Sequence, residues 1–574
     1  MDDDLRERVE RAAERDALYN ALKHDSDAQV GAIMGPLMGE NPEFREHGDE
    51  IPGVVAPVVE RVNDLPRAEQ RERLTELDPE AVAELEAEAE DEGEDHPLPD
   101  LPSVEARDEV RMRLAPNPNG PWHLGNARMP AVIGTYKERY DGRMLCRFDD
   151  TDPETKRPDP DAYGAILDAI DYLGFDPDEV IRASDRLKTY YDHARELIEM
   201  GGAYTCSCPA GGFSELKNAG EACPHREKDP ETVREEFAAM IDGDYAAGEM
   251  VLRVKTDIEH KNPALRDWVA FRIIDTPHPR EEASDYRCWP MLDFQSGIDD
   301  HLTGITHIVR GIDLQDSAKR QRFVYDYFGW EYPEVVHWGK IQIDAYDVTM
   351  STSTIKGLIE AGELDGWDDP RAPTLASVRR RGIRGEAVVD AIVELGTSTS
   401  DVDLAMSSIY SRNRDLIDDE ADRRFLVRDP ERFALEAGPD AGTPPLHPDH
   451  EERGRREIPV GDSVVLEPGD VPPVGDRVWL KGYGPVRRTE AGLTYTGDDL
   501  SVVREGDVDV VHWAPANGVP VRLRTMEGDV EVIAEPGLAD HAVDDVVQFE
   551  RVGFARVDAV PTGADRIVTY FAHP

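Results

Sequence analysis

Between Pro116 and Ala127 the chain reads Pro116-Asn117-Pro118-Asn119-Gly120-Pro121-Trp122-His123-Leu124-Gly125-Asn126-Ala127. The prolines and Gly120 force a turn, and a helix opens directly after it. A helix N-terminus carries unsatisfied N–H groups and the positive end of the helix dipole, which together suit phosphate. Gly125 lets a flat ring or its sugar approach the backbone. His123 can donate to phosphate oxygens as negative charge builds in a transition state. A capped helix with a surface histidine is the alternative, and four residues by themselves leave it open.

Other constellations carry different chemistry. Arg113, in the segment just before the turn, offers a planar fork suited to a carboxylate, and Asp149 can pair with an ammonium. Cys206-x-Cys208 followed by Cys223-x-His225 puts three soft thiolates and an imidazole in one short stretch, a set that suits tetrahedral zinc. Cys146 and Cys288 stand apart and read as core residues. Arg379-Arg380-Arg381-Gly382-Ile383-Arg384 stands out in an acidic chain. It reads as a contact for nucleic-acid phosphates or as a solvated helix end.

Elements must position these groups. Val110 to Leu114 alternates as a strand, a helix is expected from His123 to Tyr140, and Met144 to Phe148 forms a second strand ending on Asp149-Asp150. That is a β-α-β unit, the opening of a doubly wound sheet whose crevice would receive Arg113. Residues 1–88 read as helical, with Leu5, Val9, Ala12 and Leu18 to Leu22 at helical spacing. An acidic run from Glu86 to Asp95, closed by Pro97, Pro99 and Pro102, makes 89–104 a linker. Helices dominate from Pro370 to about Asp422. Beyond Glu457, short Val-rich strands such as Asp462–Leu466, Arg477–Leu480 and Val508–Trp513 alternate with Gly/Pro turns and suggest β-barrels.

Composition removes several classes. The net charge is −55 over 574 residues, and lysine supplies only twelve of the 65 basic side chains. The acid is spread among apolar periodic segments, so disorder and an acidic tail do not explain it. A protein soluble at molar salt, where self-repulsion is screened, does. Acidity of this kind weakens long-range attraction to nucleic acid without excluding it, since high salt already removes counterion-release affinity. There is no run of 18 apolar residues, so no membrane span is expected. Five cysteines make no disulfide framework, and the acidic start is unlike a signal peptide, so a cytoplasmic protein is expected.

His123-Leu124-Gly125-Asn126 resembles the His-Ile-Gly-His signature of class I aminoacyl-tRNA synthetases, and the flanking Pro-Asn-Pro-Asn-Gly-Pro is similar to the archaeal glutamyl branch. The resemblance continues through Arg147-Phe148-Asp149-Asp150-Thr151-Asp152-Pro153, Gly304-Ile305-Thr306-His307-Ile308-Val309-Arg310-Gly311, Gly366-Trp367-Asp368-Asp369-Pro370-Arg371 and Arg379-Arg380-Arg381-Gly382. These follow in family order. The second class I signature, Lys-Met-Ser-Lys-Ser, aligns with Thr349-Met350-Ser351-Thr352-Ser353, where threonine replaces both lysines. Hydroxyls bind phosphate without supplying charge. Lys356, Lys340 or Mg²⁺ is left to supply it.

The resemblance implies a multidomain α/β plus all-β protein. It would have an N-terminal helical extension (1–88), the linker (89–104) and a Rossmann-like catalytic domain (105–369) carrying an acceptor-binding insertion at about 200–300. A helical stem-contact region (370–422) and anticodon-binding β-barrels (423–574) would follow. It implies an ATP site built from Pro116, Asn117, Pro118, Asn119, His123, Leu124, Gly125, Asn126, Asp313, Met350, Ser351, Thr352 and Ser353. Arg113, Asp149, Trp289 and Arg310 would bind glutamate. A structural zinc on Cys206, Cys208, Cys223 and His225 matches a site in some relatives, and Arg379, Arg380, Arg381 and Arg384 would touch tRNA. ATP, Mg²⁺, L-glutamate and tRNA(Glu) are the implied partners of a cytoplasmic monomer, and tRNA(Gln) stays open as a second acceptor. A glutaminyl enzyme would prefer Glu-Pro-x-Gly-Tyr at the first signature. A non-catalytic tRNA-binding paralogue would not need His123, Arg113 and Asp149.

Overall fold

Strand β1 (Arg111–Leu114) is buried along nearly its whole length, including Arg113, as a central strand covered on both faces must be. The chain then crosses through α-helix Arg128–Arg139 to strand β2 (Arg143–Phe148), which pairs parallel to β1 with Arg113 opposite Leu145. Strand β3 (Glu179–Arg182) adds parallel to β2. Far along the sequence, β4 (His307–Gly311) and β5 (Glu334–Trp338) form a second parallel pair. They lie beside β1, because Thr306 N–H donates to Arg111 O (2.8 Å) and Arg111 N–H donates to Thr306 Oγ (2.8 Å). The strand order therefore reverses between β1 and β4, and a crevice opens at their carboxyl ends. Met112, Leu114, Val132, Ile133, Met144 and Phe148 fill the layer beneath.

The structure is a computed structural model. It describes residues 3–23, 28, 30–40, 44, 51–63, 65–78, 81–82, 96–343, 345–497, 508–561 and 566–574. Two units are present, Met1–His96 and Pro97–Pro574. The first is made of helices Asp3–Lys23, Val30–Glu40, Pro52–Asn63 and Arg67–Leu77. Val9, Ala13, Ala17 and Ala21 recur every fourth residue and pack on Val55, Val58, Val59 and Val62. The acidic run from Glu86 to Asp95, expected as part of a linker, lies outside the described residues. Its proline-rich end is not free chain. Leu98 and Leu101 are buried in the core of the second unit, Tyr136 Oη donates to Pro99 O (2.8 Å), and Arg139 donates to Leu98 O (2.7 Å).

Between β3 and β4 an antiparallel four-stranded sheet is inserted (Ala203–Cys206, Val251–Val254, Val269–Ile273 and Cys288–Pro290), with its own core of Tyr190, Tyr204, Phe237, Phe271 and Trp289. Helices Leu375–Arg380, Gly385–Val393 and Met406–Ile417 follow β5 and share the core of the parallel sheet through Val378, Val388, Ile392 and Ile409. The C-terminal part holds two seven-stranded, barrel-like sheets. One contains Val519–Thr525, Gly528–Ala534, Gly553–Ala559 and Ile567–His573, and the other is built around Glu431–Glu436 and Ser463–Leu466.

The expected α/β plus all-β architecture is present, and two local expectations change. The helix after the turn starts as a short 3-10 turn, Leu124–Ala127, with Asn126 N–H on His123 O (2.9 Å), while Leu124 N–H, which has no partner inside the helix, is satisfied by Pro373 O (2.8 Å). The expected strand Val508–Trp513 shrinks to Val510–Val511, since the next residues leave the ladder for the core. His512 stacks on Phe425 with ring centres 4.7 Å apart, and Trp513 Nε1 donates to Lys481 O (3.0 Å).

Candidate functional site

The two segments read as phosphate-handling meet in space. A Cβ on Gly120 would lie 2.5 Å from Thr352 Cγ2, so only glycine lets the two loops approach this closely. A Cβ on Gly125 would lie 3.8 Å from the Met350 sulfur. Ser351 and Ser353 hydroxyls are 3.1 Å apart at the start of helix Thr352–Glu360. The first loop is stitched down on its other side. Asp149 N–H donates to Pro116 O (2.9 Å), Asn117 Nδ2 to Asp149 O (2.8 Å), and Leu375 N–H to Trp122 O (3.1 Å). Asn119 is half-buried on the same turn. His123 N–H donates to Asn126 Oδ1 (3.1 Å). Burial pushes the His123 imidazole down to about 4, so it is neutral at neutral pH. Among the described residues its buried Nδ1 and the Asn117 Oδ1 have no hydrogen-bond partner. Asp313 is exposed at the end of β4, with Oδ1 where a side chain on Gly311 would stand.

A charged cluster fills the crevice beside these loops. Arg147 is fully buried; Nε donates to Asp149 Oδ1 (2.7 Å) and Nη1 to Asp300 Oδ1 (2.6 Å). Arg113 donates through Nε and Nη2 to the two Asp300 oxygens (3.1 and 3.3 Å). Burial is the largest influence on Asp300 and would raise it, yet Arg113 and Arg147 together hold it below the ordinary carboxylate range. Gln295 Nε2 donates to Asp149 Oδ1 (2.8 Å). Arg310 differs. Its Nη2 donates to Gln321 Oε1 (3.3 Å) and Tyr332 Oη (3.1 Å), both neutral, and burial lowers its pKa. Asp299, also near Arg147, is paired with Arg186 (2.7 Å), so three guanidiniums are left facing Asp149 and Asp300, and among the described residues Arg310 is the one with no carboxylate bonded to it. Among the described residues, buried Arg147 Nη2, Arg310 Nε, Gln295 Oε1 and Trp289 Nε1 have no hydrogen-bond partners. Trp289 is fully buried and stacks on His278 at 5.3 Å. A buried cluster with one guanidinium lacking a counter-charge and several unpartnered polar atoms suits an anionic polar ligand.

The four donors of the cysteine cluster come together. Cys206 Sγ lies 3.9 Å from Cys223 Sγ, and His225 Nδ1 lies 3.3 Å from Cys208 Sγ and 4.0 Å from Cys223 Sγ. All four ligand atoms lie within 4.8 Å of one another. Zinc bonds of about 2.0–2.3 Å in a tetrahedron require edges of roughly this length, so the donor set fits the ion. His225 Nε2 faces Ser207 Oγ at 3.1 Å, the outer contact that orients a ligating imidazole. A second group, Asp419, His447 and His450, fits less well. Both His447 nitrogens are already used, Nε2 with Asp418 O (3.1 Å) and Nδ1 with Asp449 N–H (3.1 Å).

The arginine run divides. Arg381, expected at tRNA phosphates, is only 1 % exposed and cannot reach one. It donates to Phe571 O (3.1 Å), Tyr346 Oη (3.2 Å), Tyr410 Oη (2.9 Å) and Ala572 O, anchoring the last strand to the helices. Arg380 is paired with Asp558 (2.9 Å) and Asp368 (2.7 Å). Arg379 and Arg384 remain exposed and, with Arg556, line a cavity of about 960 Å³. Sequence reasoning passed over Arg147, Asp300 and Gln295 as site residues. The available signal was an acidic pair, Asp299-Asp300, inside an otherwise buried helix, Leu292–Leu302.

Comparison with known proteins gives a consistent picture. A family model described as "tRNA synthetases class I (E and Q), catalytic domain" matches residues 109–419. Two models for the anti-codon binding domains of the same class match 421–501 and 510–558. The chain is 71% identical to a protein named Glutamate--tRNA ligase from Haloarcula marismortui, with 100% of both chains covered. It is 69% identical to one of the same name from Halobacterium salinarum, again over 100% of both. A Methanosarcina acetivorans protein of that name is 43% identical over 98% of each chain.

Proposed function

The chain belongs to the class I tRNA synthetases for glutamate and glutamine, and from that premise we propose that it is a glutamate–tRNA ligase whose crevice selects glutamate by charge. The single observation that carries the selection is the cluster of Arg113, Arg147 and Arg310 against Asp149 and Asp300, which leaves one positive charge over. Glutamate at neutral pH has one ammonium and two carboxylates, so it carries one net negative charge and completes the balance. Glutamine is neutral overall and would leave a guanidinium buried without a counter-charge, which is strongly unfavourable.

In this reading Arg310 receives the side-chain carboxylate, with Arg113 beside it. Asp149 and the free Gln295 Oε1 accept from the ammonium, and Trp289 forms the wall. The α-carboxylate attacks the α-phosphate of ATP, giving glutamyl-adenylate and pyrophosphate. The terminal ribose hydroxyl of tRNA(Glu) then takes the glutamyl group and AMP leaves. Neutral His123 donates to the phosphate from the loop that Gly125 and Asn126 complete, and Asp313 stands near the ribose. The protein contributes position and fixed dipoles, with no covalent intermediate on a side chain. Mg²⁺ takes few protein ligands and travels with phosphates, so no dedicated carboxylate cage is needed. Cys206, Cys208, Cys223 and His225 would hold a structural zinc that braces the insertion. Arg379 and Arg384 are the arginines of the basic run left to touch tRNA.

No helix among the described residues is long and apolar enough to cross a membrane. We place the enzyme in the cytoplasm as a monomer, a point that sedimentation in molar KCl checks. The test of function is aminoacylation at about 2 M KCl, where surface repulsion is screened, crossing glutamate and glutamine with tRNA(Glu) and tRNA(Gln). Charging by glutamate supports the reading, and the tRNA(Gln) arm decides whether that acceptor is also used. Charging by glutamine alone, or no charging with either, overturns it.

A further inference from the structure

We propose that Lys356 is the cation this chain brings to the ATP β- and γ-phosphates in place of the two missing signature lysines, with Asp159 as its resting counter-ion. The inference rests on the reading of the chain as an ATP-dependent ligase. Thr349 and Thr352 stand where the signature has lysine, and their hydroxyls add hydrogen bonds without charge. Mg²⁺ meets part of the charge on leaving pyrophosphate, and a cationic side chain reaching the same place would meet more of it.

The geometry points to one. Thr352 and Lys356 are four residues apart on helix Thr352–Glu360 and therefore share a face. Thr352 packs its methyl against Gly120 of the first signature loop, so that face is turned toward the loop. Lys356 Nζ lies 3.3 Å from Asp159 Oδ2, across 197 residues of sequence. Asp159 in turn donates its N–H to Pro118 O (2.7 Å). The ammonium is thus parked on the rim of the loop that the resemblance assigns to ATP. Lys340, the other candidate, is held through its backbone, N–H on Asp401 Oδ1 (2.9 Å) and O from Val402 N–H (2.9 Å), and among the described residues no hydrogen bond or ion pair ties its ammonium to either signature.

The parked pair is built to break. Both side chains are substantially exposed, 47% and 31%, so the pair is worth little and less again at high salt. A polyphosphate outbids a single carboxylate for the ammonium, and the four-carbon stem of lysine lets it turn.

The two ends of the pair give opposite predictions, which a mere structural brace would not. The experiment measures binding of pyrophosphate with Mg²⁺ to the full-length protein by titration calorimetry at about 2 M KCl, alongside the KM values for ATP and glutamate. Lys356→Ala should weaken pyrophosphate binding and raise the ATP KM by about ten- to a hundredfold, the weight of one charged hydrogen bond, with the glutamate KM unmoved. Asp159→Asn keeps the Oδ1 that accepts from Asp161 N–H (3.2 Å) and should leave pyrophosphate binding equal or tighter. Thr352→Lys, placed in the Lys356→Ala background, should restore it. Circular dichroism melts confirm that each variant is folded. Unchanged binding in Lys356→Ala, equal losses in Lys356→Ala and Asp159→Asn, or an equal loss in Lys340→Ala would each overturn the assignment. Failure of the unaltered chain to charge tRNA with glutamate would instead overturn the reading of function on which it rests.

Discussion

Arg310→Gln separates a binding charge from a structural one, because the same substitution should damage function and spare the fold. Arg310 is 6% exposed and holds only Gln321 and Tyr332, both neutral. With no carboxylate bonded to it among the described residues, its guanidinium is buried at a cost that two neutral partners do not repay. Glutamine at this position keeps polar reach toward Tyr332 and removes the charge, so the melting temperature should hold or rise. Substrate binding should suffer. Two unit charges about 4 Å apart interact by about 4 kcal/mol at an effective dielectric constant near 20. Truncating one side of a buried charged contact costs about 2–5 kcal/mol in measured complexes. At about 1.4 kcal/mol per tenfold, the KM for glutamate should rise by roughly 30- to 4,000-fold. The preference for glutamate over glutamine should collapse with it. ATP–pyrophosphate exchange with tRNA present gives the KM values, and thermal melts by circular dichroism at high KCl give the stability. Arg147→Gln is the contrast. Arg147 holds both Asp149 and Asp300, so its loss should cost about 3–5 kcal/mol of stability. An unchanged glutamate KM in Arg310→Gln, or a fall in melting temperature as large as that of Arg147→Gln, would refute the charge balance.

Three further outcomes are expected. Protein purified without added metal should carry about one zinc per chain, and Cys223→Ser should lower that and loosen the insertion; active enzyme without metal would remove the zinc site. His123, His512 and His573 are each pushed down to about 4 by burial. The unfolded chain, with histidines near 6.5, therefore binds more protons between those limits. Stability should be flat above about pH 7 and fall on acidification below it, by up to about 1.4 kcal/mol per pH unit per histidine. Imidazole shifts followed by NMR check this, and a His573 titrating near 6.5 in the folded protein would contradict it. Finally, a net charge of −55 should make the isolated protein more stable at about 2 M KCl than at about 0.1 M, because the Debye length falls from about 10 Å to less than about 3 Å. Equal melting temperatures at the two salts would mean the acidity has another cause.

Local signals carried much of the fold. Leu5, Val9, Ala12 and Leu18 to Leu22 at helical spacing among charges are enough to mark the first helix, Asp3–Lys23. The run from Arg111 to Phe148 needs only alternation, a proline turn and helical periodicity to read as β-α-β. Prolines 97, 99 and 102 misled, since proline marks irregular chain without saying whether that chain is packed. Here Leu98 and Leu101 decide, by burying themselves. Val508–Trp513 misled for a related reason: strand propensity is local, whereas the pull of a core on Trp513 is not.

The site shows the same division more sharply. Sequence by itself determined the chemistry available: a glycine-and-histidine loop at a helix start, a fork of arginine, a zinc-like quartet, and a signature loop without its lysines. A residue's type and its near neighbours are enough for that. Only the tertiary structure decided which charges are already spent. Arg113 finds Asp300 187 residues away, and Arg147 finds it at 153. Among the described residues Arg310 finds no carboxylate, Arg381 disappears beneath the last strand, and Lys356 meets Asp159 across 197 residues. The reason is that hydrogen bonding and desolvation depend on distance in space and on burial. Periodicity reports which face of an element turns inward, but not which opposite charge waits there.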